Sequence, residues 1–275
     1  MTIPVGLVQL CSTTDVAANL AATEAGVREA VALGARVVML PEAFAYIGPP
    51  AGRLAIAESL EGEGPVLDRC RSLARRHGVD LLVGGFPEAL DETRTWNTAL
   101  HLDPEGQLQA RYRKIHLFDV DLEDGTRLLE SETTAPGNAA VVADLPCGRA
   151  GLTICYDLRF PPLYRSLVDA GATVLTAPSA FTATTGRDHW HVLLRARAIE
   201  CQSWMLAAAQ VGAHDGGRVS FGHSLAVDPW GQVRLDLGSK PGVGVVQVDP
   251  EQMAEIRARL PSLGHARQFR APEAG

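Results

Sequence analysis

Short apolar runs alternate with longer mixed segments along most of the chain. Apolar runs bounded by Gly, Pro or Asp predict buried β-strands, whereas apolar residues at helical spacing predict amphipathic helices. The predicted strands are PVGLVQL (4–10), RVVML (36–40), DLLVGGF (80–86), TVLTAPSA (173–180), WMLAAAQ (204–210) and VGVVQV (243–248). The alternation of strands and helices predicts an α/β fold of layered sheets and helices.

The predicted helices carry start and stop signals. They span residues 15–33, 65–77, 163–170 and 188–202, and the sequence from 249 to 252 predicts the start of a last helix. Asp15 is a suitable N-cap, and Pro65 stands near a first helical position. Two hairpins are predicted, one around residues 103–106 and one in HSLAVDPWGQVRLDL, and the tail after Pro261 is predicted to be extended.

Composition and charge narrow the possible partners. The 275 residues are 46% hydrophobic and 21% charged, with a net charge of -7. Nucleic acids and anionic membranes favour basic surfaces, so neither is expected as a partner. No apolar run reaches the roughly 18 residues of a spanning helix, and MTIPVGLVQL lacks the basic start of a secretory signal. We therefore expect a cytoplasmic protein.

The cysteines are widely spaced and include no CxxC pair. They are Cys11, Cys70, Cys147, Cys155 and Cys201. An odd number argues against a disulfide framework, and the spacing gives no support for structural zinc. Four are expected to be buried small hydrophobic residues. Cys155 differs, because it ends the apolar run GLTIC and is followed at once by Tyr156 and Asp157.

Three residues of complementary chemistry stand near the ends of predicted strands. Glu42 follows RVVML, Lys114 ends a strand in ARYRKIHLF, and Cys155 ends GLTIC. In α/β folds the strand ends line the functional crevice. A thiol can attack a carbonyl carbon while a carboxylate accepts its proton and an ammonium stabilises the oxyanion. The combination suits amide or nitrile hydrolysis, although each residue alone is compatible with a purely structural position.

Three segments closely resemble the signature blocks of the nitrilase, or carbon–nitrogen hydrolase, superfamily. They are LPEAF (40–44), YRKIHLFDVDL (112–122) and GLTICYDLRFP (151–161). The resemblance implies that Glu42 is the general base, Lys114 the oxyanion-stabilising lysine and Cys155 the nucleophile. It also implies that Glu130, in LLESETTAPG, supports the site, and that the Tyr156 backbone N–H completes the oxyanion hole.

The resemblance extends from about residue 4 to residue 260 and implies an α-β-β-α sandwich. It implies a single carbon–nitrogen hydrolase domain over residues 1–275, with its core at about 4–260 and a C-terminal extension at 261–275. It further implies at least a homodimer, and we expect a small, anionic amide substrate. GEGPVL (62–67) lacks the third glycine of a dinucleotide fingerprint, and no cofactor is expected.

Longer segments indicate a branch of the superfamily. PSAFTATTGRDHWHVLLRARAIECQ, AAAQVGAH and GHSLAVDPWG resemble the branch that contains the deaminated-glutathione amidases. This implies hydrolysis of deaminated glutathione to 2-oxoglutarate and cysteinylglycine. The alternatives are ω-amidase action on 2-oxoglutaramate, hydrolysis of an N-carbamoyl amino acid or another small amide, and a non-catalytic scaffold. Arg187, Asp188 and His191 depart from the branch pattern, which bears on substrate contacts rather than on the reaction class.

Several residues are candidates for substrate binding. Arg159 lies four residues beyond Cys155 and is the arginine best placed to bind a substrate carboxylate. Phe181 could form a wall of the pocket. The other arginines considered for a carboxylate are Arg187, Arg195, Arg197 and Arg218.

Two further motifs point to other chemistries and are weaker. GHSLA (222–226) nearly matches the G-x-S-x-G nucleophile elbow, but VDP follows it where an elbow must enter a helix. His189 and His191 have the form of a metal-binding pair, but positions i and i+2 of a helix do not share a face. No accompanying carboxylate cluster is evident in the sequence, so no metal site is predicted.

Overall fold

The computed structural model describes residues 1–121 and 127–270. Leu122, the last residue of the segment 112–122, and residues 271–275 of the predicted C-terminal extension lie outside the described residues. Most of the described strands belong to two sheets that pack against each other.

The first sheet has seven strands. Its order is β17 (Gly242–Val248), β1 (Ile3–Gln9), β2 (Val37–Met39), β3 (Asp80–Ala89), β4 (Thr95–Leu102) and β5 (Leu108–Arg113), and β8 (Thr134–Ala135) pairs with β4. β1, β2 and β3 are parallel, whereas β4 is antiparallel to both β3 and β5. β5 therefore runs in the same direction as β2 and β3. The C-terminal ends of β2 and β5 thus lie at the same edge of the sheet.

The second sheet has six strands and a similar parallel centre. Its order is β16 (Val233–Asp236), β15 (Leu225–Val227), β12 (Trp204–Ala207), β11 (Val174–Thr176), β10 (Gly148–Leu152) and β9 (Val141–Leu145). β10, β11 and β12 are parallel. The remaining two pairs are β6 (Asp119–Asp121) with β7 (Arg127–Leu129), and β13 (Val211–Ala213) with β14 (Val219–Phe221).

Helices cover the outer faces of the two sheets. The helices are α1 (Val16–Ala32), α2 (Pro50–Ala55), α3 (Pro65–His77), α4 (Pro161–Asp169), α5 (Ala183–Cys201) and α6 (Pro250–Arg259), with 3₁₀ turns at Glu130–Glu132, Cys155–Arg159 and Ser262–His265. α1 and α3 contact the first sheet, while α4 and α5 contact the second.

Both faces of the central strands are buried, which explains why these strands appear as continuous apolar runs. In β1, Val5 and Leu7 belong to the core that includes both sheets, whereas Val8 belongs to the core beneath α1 and α3. Between them, Gly6 allows a close approach of α1, because a Cβ at this position would lie 2.8 Å from the Cβ of Ala30. The predicted α-β-β-α sandwich is confirmed.

Several element boundaries differ from the sequence predictions. α5 begins at Ala183 rather than residue 188, and it includes Gly186, where an added Cβ would lie 2.4 Å from the Phe221 ring. The predicted strand 173–180 ends at Thr176, because Pro178 has no N–H to donate to a sheet. The tail after Pro261, predicted to be extended, begins with a 3₁₀ turn at Ser262–His265. The short helix α2 was not predicted.

Among the helices of residues 1–121 and 127–270, none combines the length and the apolar character that a membrane span requires.

Candidate active site

Cys155 lies in a tight turn immediately after β10. The chain passes from Leu152 through two residues into the 3₁₀ turn that begins at Cys155. The backbone of Cys155 is left-handed, with φ 47°, and its N–H donates to the Pro178 carbonyl at 3.0 Å. A non-glycine residue in this conformation is strained unless its surroundings hold it. The turn therefore holds the thiol in a fixed position at the strand end.

Asp157 supplies much of that restraint. Its buried carboxylate accepts hydrogen bonds from the Ile154 N–H at 2.9 Å and from the Tyr112 hydroxyl at 2.7 Å. It also accepts from the His116 backbone N–H at 3.1 Å and lies 2.7 Å from Nδ1 of the same residue. Tyr112 and His116 flank Lys114, so one carboxylate ties the turn of Cys155 to the end of β5. Sequence reasoning did not identify Asp157 as a site residue.

Lys114 joins two carboxylates at the end of β5. Its Nζ donates to Glu42 Oε1 at 3.0 Å and to Glu130 Oε2 at 2.8 Å. Asn97 joins the same two residues, because its Nδ2 donates to Glu42 Oε1 and to Glu130 Oε1, each at 2.9 Å. Glu42, Asn97, Lys114, Glu130 and Cys155 are called the buried cluster below. The predicted catalytic residues are thus brought together, and Asn97 is an additional member that the sequence did not indicate.

Glu42 and Glu130 are also held by the backbone. The Ala180 N–H donates to Glu42 Oε2 at 2.8 Å, so the chain after β11 contacts the base candidate directly. The Phe118 N–H donates to Glu130 Oε2 at 2.8 Å. Each carboxylate therefore accepts at least three hydrogen bonds, which leaves little freedom of orientation.

The environment shifts the pKa values of three residues in the buried cluster. Burial acts to raise the pKa of Glu42, but the charges of Lys114 and Arg218, a backbone N–H and the Cys155 thiol together lower it to about 2. Burial acts to lower the pKa of Lys114, but the Glu130 and Glu42 carboxylates raise it overall. Burial and the Glu42 charge raise the pKa of the Cys155 thiol, against the opposing effect of Lys114. At neutral pH an ionised carboxylate therefore faces a protonated thiol and an ammonium group.

A cavity of about 580 Å³ opens beside the buried cluster. Glu42, Lys114, Glu130 and Cys155 all contribute to its wall. Three arginines also line it, and they are Arg53, Arg127 and Arg218. A volume of this size is typical of a small-molecule site. The thiol, its neighbouring carboxylate and the ammonium group therefore all border one space that a ligand can occupy.

Of the three predicted substrate-binding residues, two border a pocket beside Cys155 and the third does not. Tyr156 and Phe181 border a small pocket that also touches Cys155. The Arg159 guanidinium stacks 5.3 Å from the Phe181 ring, and its Nη2 lies 3.2 Å from His189 Nδ1. Within the described part of the chain, the walls of the large cavity and of this small pocket do not include Arg159. Its contacts with the rings of Phe181 and Tyr156 connect it to the small pocket.

Of the other arginines considered, only Arg218 borders the cavity among the described residues. Arg195 donates to the Gly231 carbonyl, Arg197 donates to the Leu158 carbonyl, and Arg187 is exposed. These contacts are structural. In GHSLA, Ser224 is fully buried and its Oγ accepts from the Ala209 N–H at 2.8 Å, which is a packing role rather than that of an exposed nucleophile.

His189 and His191 contact different partners, and His189 Nδ1 lies beside Arg159 Nη2. His191 instead meets His223 and Asp236, with His191 Nε2 3.0 Å from Asp236 Oδ2 and His223 Nδ1 2.8 Å from Asp236 Oδ1. His191, His223 and Asp236 are called the surface cluster below. A carboxylate does therefore accompany His191, contrary to the expectation from the sequence, but it comes from a strand 45 residues further along the chain.

Comparisons with known proteins agree with the fold and the motifs. Residues 4–258 match the family model described as Carbon-nitrogen hydrolase. The chain is 41% identical over 261 residues to a deaminated glutathione amidase of Synechocystis sp., and the match covers 94% of this chain and 95% of that protein.

Solved structures give the same result. The C. elegans NitFhit protein superimposes with a TM-score of 0.90 and 37% identity over 97% of this chain, which spans 65% of that protein's length. A mutant of the amidase from Nesterenkonia sp. AN1, whose structure shows the result of Michael addition of acrylamide at the active site cysteine, has a TM-score of 0.78 and 27% identity. The match covers 94% of this chain and 98% of that chain. The chain therefore belongs to the carbon–nitrogen hydrolase family, and it is an amidase.

Proposed function

We propose that this amidase hydrolyses the amide bond of deaminated glutathione to 2-oxoglutarate and cysteinylglycine. The observation that carries the proposal is the Cys155 thiol on the wall of a cavity of about 580 Å³, together with Glu42 and Lys114. The substrate assignment is supported by the deaminated glutathione amidase of Synechocystis sp., with which the chain shares 41% identity over nearly its whole length.

The first half of the proposed reaction forms a thioester. Glu42 takes the proton from the Cys155 thiol as Sγ attacks the amide carbon, because the carboxylate is ionised while the thiol is protonated. The Lys114 ammonium and the Tyr156 backbone N–H stabilise the oxyanion. Glu42 then gives the proton to the nitrogen of the leaving amine, the C–N bond breaks, and cysteinylglycine departs.

The second half of the proposed reaction reverses these proton transfers. Glu42, ionised again, removes a proton from a water molecule as its oxygen attacks the thioester carbon. The tetrahedral intermediate collapses to release 2-oxoglutarate, and Glu42 returns the proton to the Cys155 sulfur. Glu130 supports the reaction by fixing Lys114 through the 2.8 Å contact of Nζ and Oε2.

The extent of the domain, the oligomeric state and the cellular location belong to the same proposal. Residues 1–275 constitute one hydrolase domain with its core at about 4–260. The protein acts as a homodimer, an arrangement supported by the apolar residues Val192 and Ile199, which are 65% and 50% exposed and lie two turns apart on α5. A monomer in light scattering would contradict the dimer.

The free cysteines support a reducing, cytoplasmic location.

The proposed function is tested by release of 2-oxoglutarate from deaminated glutathione and from 2-oxoglutaramate. We expect the wild-type protein to prefer deaminated glutathione. Cys155→Ala should lower the rate by about 10⁴-fold or more, because the covalent route is lost. The melting temperature should show that the variant remains folded.

Cys11→Ala is the matched control. Its sulfur lies 3.4 Å from the Ala213 carbonyl and, within residues 1–121 and 127–270, does not border the cavity, so activity should be retained. Preference for 2-oxoglutaramate would overturn the substrate assignment. Undiminished turnover by a folded Cys155→Ala variant would overturn the mechanism.

A further inference from the structure

Arg53 contributes an incompletely paired guanidinium to the wall of the active-site cavity. It is carried by the short helix α2 and forms part of the cavity wall. Its Nε and Nη2 are buried, and among residues 1–121 and 127–270 neither nitrogen has a hydrogen-bond partner. Buried arginine is normally paired, because withdrawing its charge and its N–H groups from water is costly. Arg53 therefore places a cation in the wall of a ligand-sized space, and the described protein groups leave two of its nitrogens without a partner.

The neighbouring carboxylates do not supply the missing partner. Glu42 accepts from Lys114, Asn97 and the Ala180 N–H, while Glu130 accepts from Lys114, Asn97 and the Phe118 N–H. Burial lowers the pKa of Arg53. The charges of Glu130 and Glu42 act to raise it, but the effect of burial is larger. Their charges help to keep the guanidinium protonated, but their oxygens are already committed to other donors.

Arg218 adds a second cationic group to the same part of the cavity. One of its nitrogens, Nη2, donates to the Ala180 carbonyl, whereas its Nε is buried without a partner among the described residues. Two incompletely paired guanidinium groups in one cavity wall give that wall a positive charge that suits an anion able to accept several hydrogen bonds. A carboxylate matches the planar fork of arginine better than a single neutral carbonyl does.

We propose that Arg53, with Arg218 beside it, binds the carboxylate of the acyl half of the substrate. The inference rests on the proposed function, in which that half is a 2-oxo acid. The enclosed position of the Arg53 donors selects this half, because the leaving amine must depart toward solvent. Among the described residues of the cavity wall, Pro50, Arg127 and Glu132 are exposed, and we place the departing amine on the side of Arg127 and Glu132.

A consequence concerns selectivity among amides. Deaminated glutathione and 2-oxoglutaramate share the same acyl half and differ only in the leaving amine. Arg53 therefore selects for an anionic acyl group but does not distinguish these two substrates. Discrimination between them depends on contacts near the open side of the cavity.

The binding test uses 2-oxoglutarate and the otherwise intact Cys155→Ala protein. Calorimetry should show binding, and adding Arg53→Met should weaken it roughly 10- to 100-fold, as expected for loss of hydrogen bonds to a charged group. Arg53→Lys should restore part of the affinity, since it keeps the charge but not the fork. Arg28→Met, which removes an exposed arginine on α1, is the control and should leave the affinity unchanged.

The kinetic test uses Arg53→Met with the catalytic cysteine present. The value of kcat/KM should fall by a similar factor for deaminated glutathione and for 2-oxoglutaramate. A fall for deaminated glutathione alone would assign Arg53 to the leaving half and overturn the inference, as would unchanged affinity for 2-oxoglutarate. If wild-type protein fails to hydrolyse deaminated glutathione, the proposed function falls, whereas dependence of 2-oxoglutarate binding on Arg53 still decides the inference.

Discussion

The buried cluster and the surface cluster have similar hydrogen-bond distances but different surroundings. Lys114 contacts its two carboxylates at 3.0 and 2.8 Å, and the two histidines contact Asp236 at 3.0 and 2.8 Å. The Lys114 side chain is only 2% exposed, whereas that of Asp236 is 32% exposed. Short contacts alone therefore do not distinguish a reactive site from a group of surface ion pairs.

Burial and an adjoining cavity make the chemical difference. In the buried cluster, removal of water strengthens each charge interaction, and Glu42 stays ionised beside a protonated thiol. In the surface cluster, partial burial acts to raise the pKa of Asp236, and hydrogen bonds from His191, a backbone N–H and His223 lower it overall. There, water screens the same interactions. We expect substitutions in the two clusters to differ greatly in effect.

The largest effect on stability is expected for Lys114→Met. The substitution removes the cation that forms an ion pair with the buried Glu42 carboxylate, and breaking a buried ion pair in this way costs about 3–5 kcal/mol of unfolding free energy. Urea unfolding at pH 7 measures the loss. Lys240→Met, at an exposed lysine, is the control and should change the unfolding free energy by less than about 0.5 kcal/mol.

The pH dependence of this loss follows from the Glu42 pKa. In the wild type the folded-state pKa is lowered to about 2, below the ordinary value of 4.5, so the stabilisation is present above pH 4.5 and is lost as the pH falls toward 2. In Lys114→Met the pKa of Glu42 should rise, and acidification relieves the penalty. The deficit of the variant should therefore be greatest near pH 7 and smaller near pH 5. An equal deficit at both pH values would contradict the electrostatic explanation.

A smaller effect, on catalysis, is expected for Asn97→Leu. Asn97 is a positioning residue, since its amide donates to both Glu42 and Glu130. Losing hydrogen bonds to charged groups should lower kcat roughly 10- to 100-fold, with KM changed much less. Asn97→Asp should be worse than Asn97→Leu, because a carboxylate would face two others. Equal losses in kcat for the two variants, or a loss confined to KM, would contradict the positioning role.

The sequence indicated the reactive groups better than their supports. Glu42, Lys114 and Cys155 could be selected because each stands near the end of a predicted strand, and the structure brings them together from two different sheets. Glu130 was indicated only by family resemblance, since a glutamate in an irregular segment has no distinctive spacing. The roles of these residues in the reaction stay predictions.

The supporting residues were missed for physical reasons. Asn97 lies within β4, where a polar residue in an alternating strand is usually taken to face solvent, yet it is 1% exposed here. Asp157 acts through contacts with residues up to 45 positions away in the sequence. Arg53 belongs to a segment rich in Pro and Gly, where hydrophobic periodicity gives no signal. Sequence reasoning predicted the layers of the fold but not these long-range polar contacts.

The smallest effect is expected for Asp236→Asn in the surface cluster. The substitution keeps the shape of the side chain and removes its charge, and partly exposed ion pairs contribute about 0–1 kcal/mol. The unfolding free energy at pH 7 should fall by less than about 1 kcal/mol, and kcat/KM should stay within about twofold of wild type. A loss of several kcal/mol, or a rise in melting temperature with Zn²⁺ that the substitution abolishes, would show that His191, His223 and Asp236 act as a bound unit. The contrast with the buried cluster would then fail, because exposure would no longer separate a functional cluster from surface ion pairs.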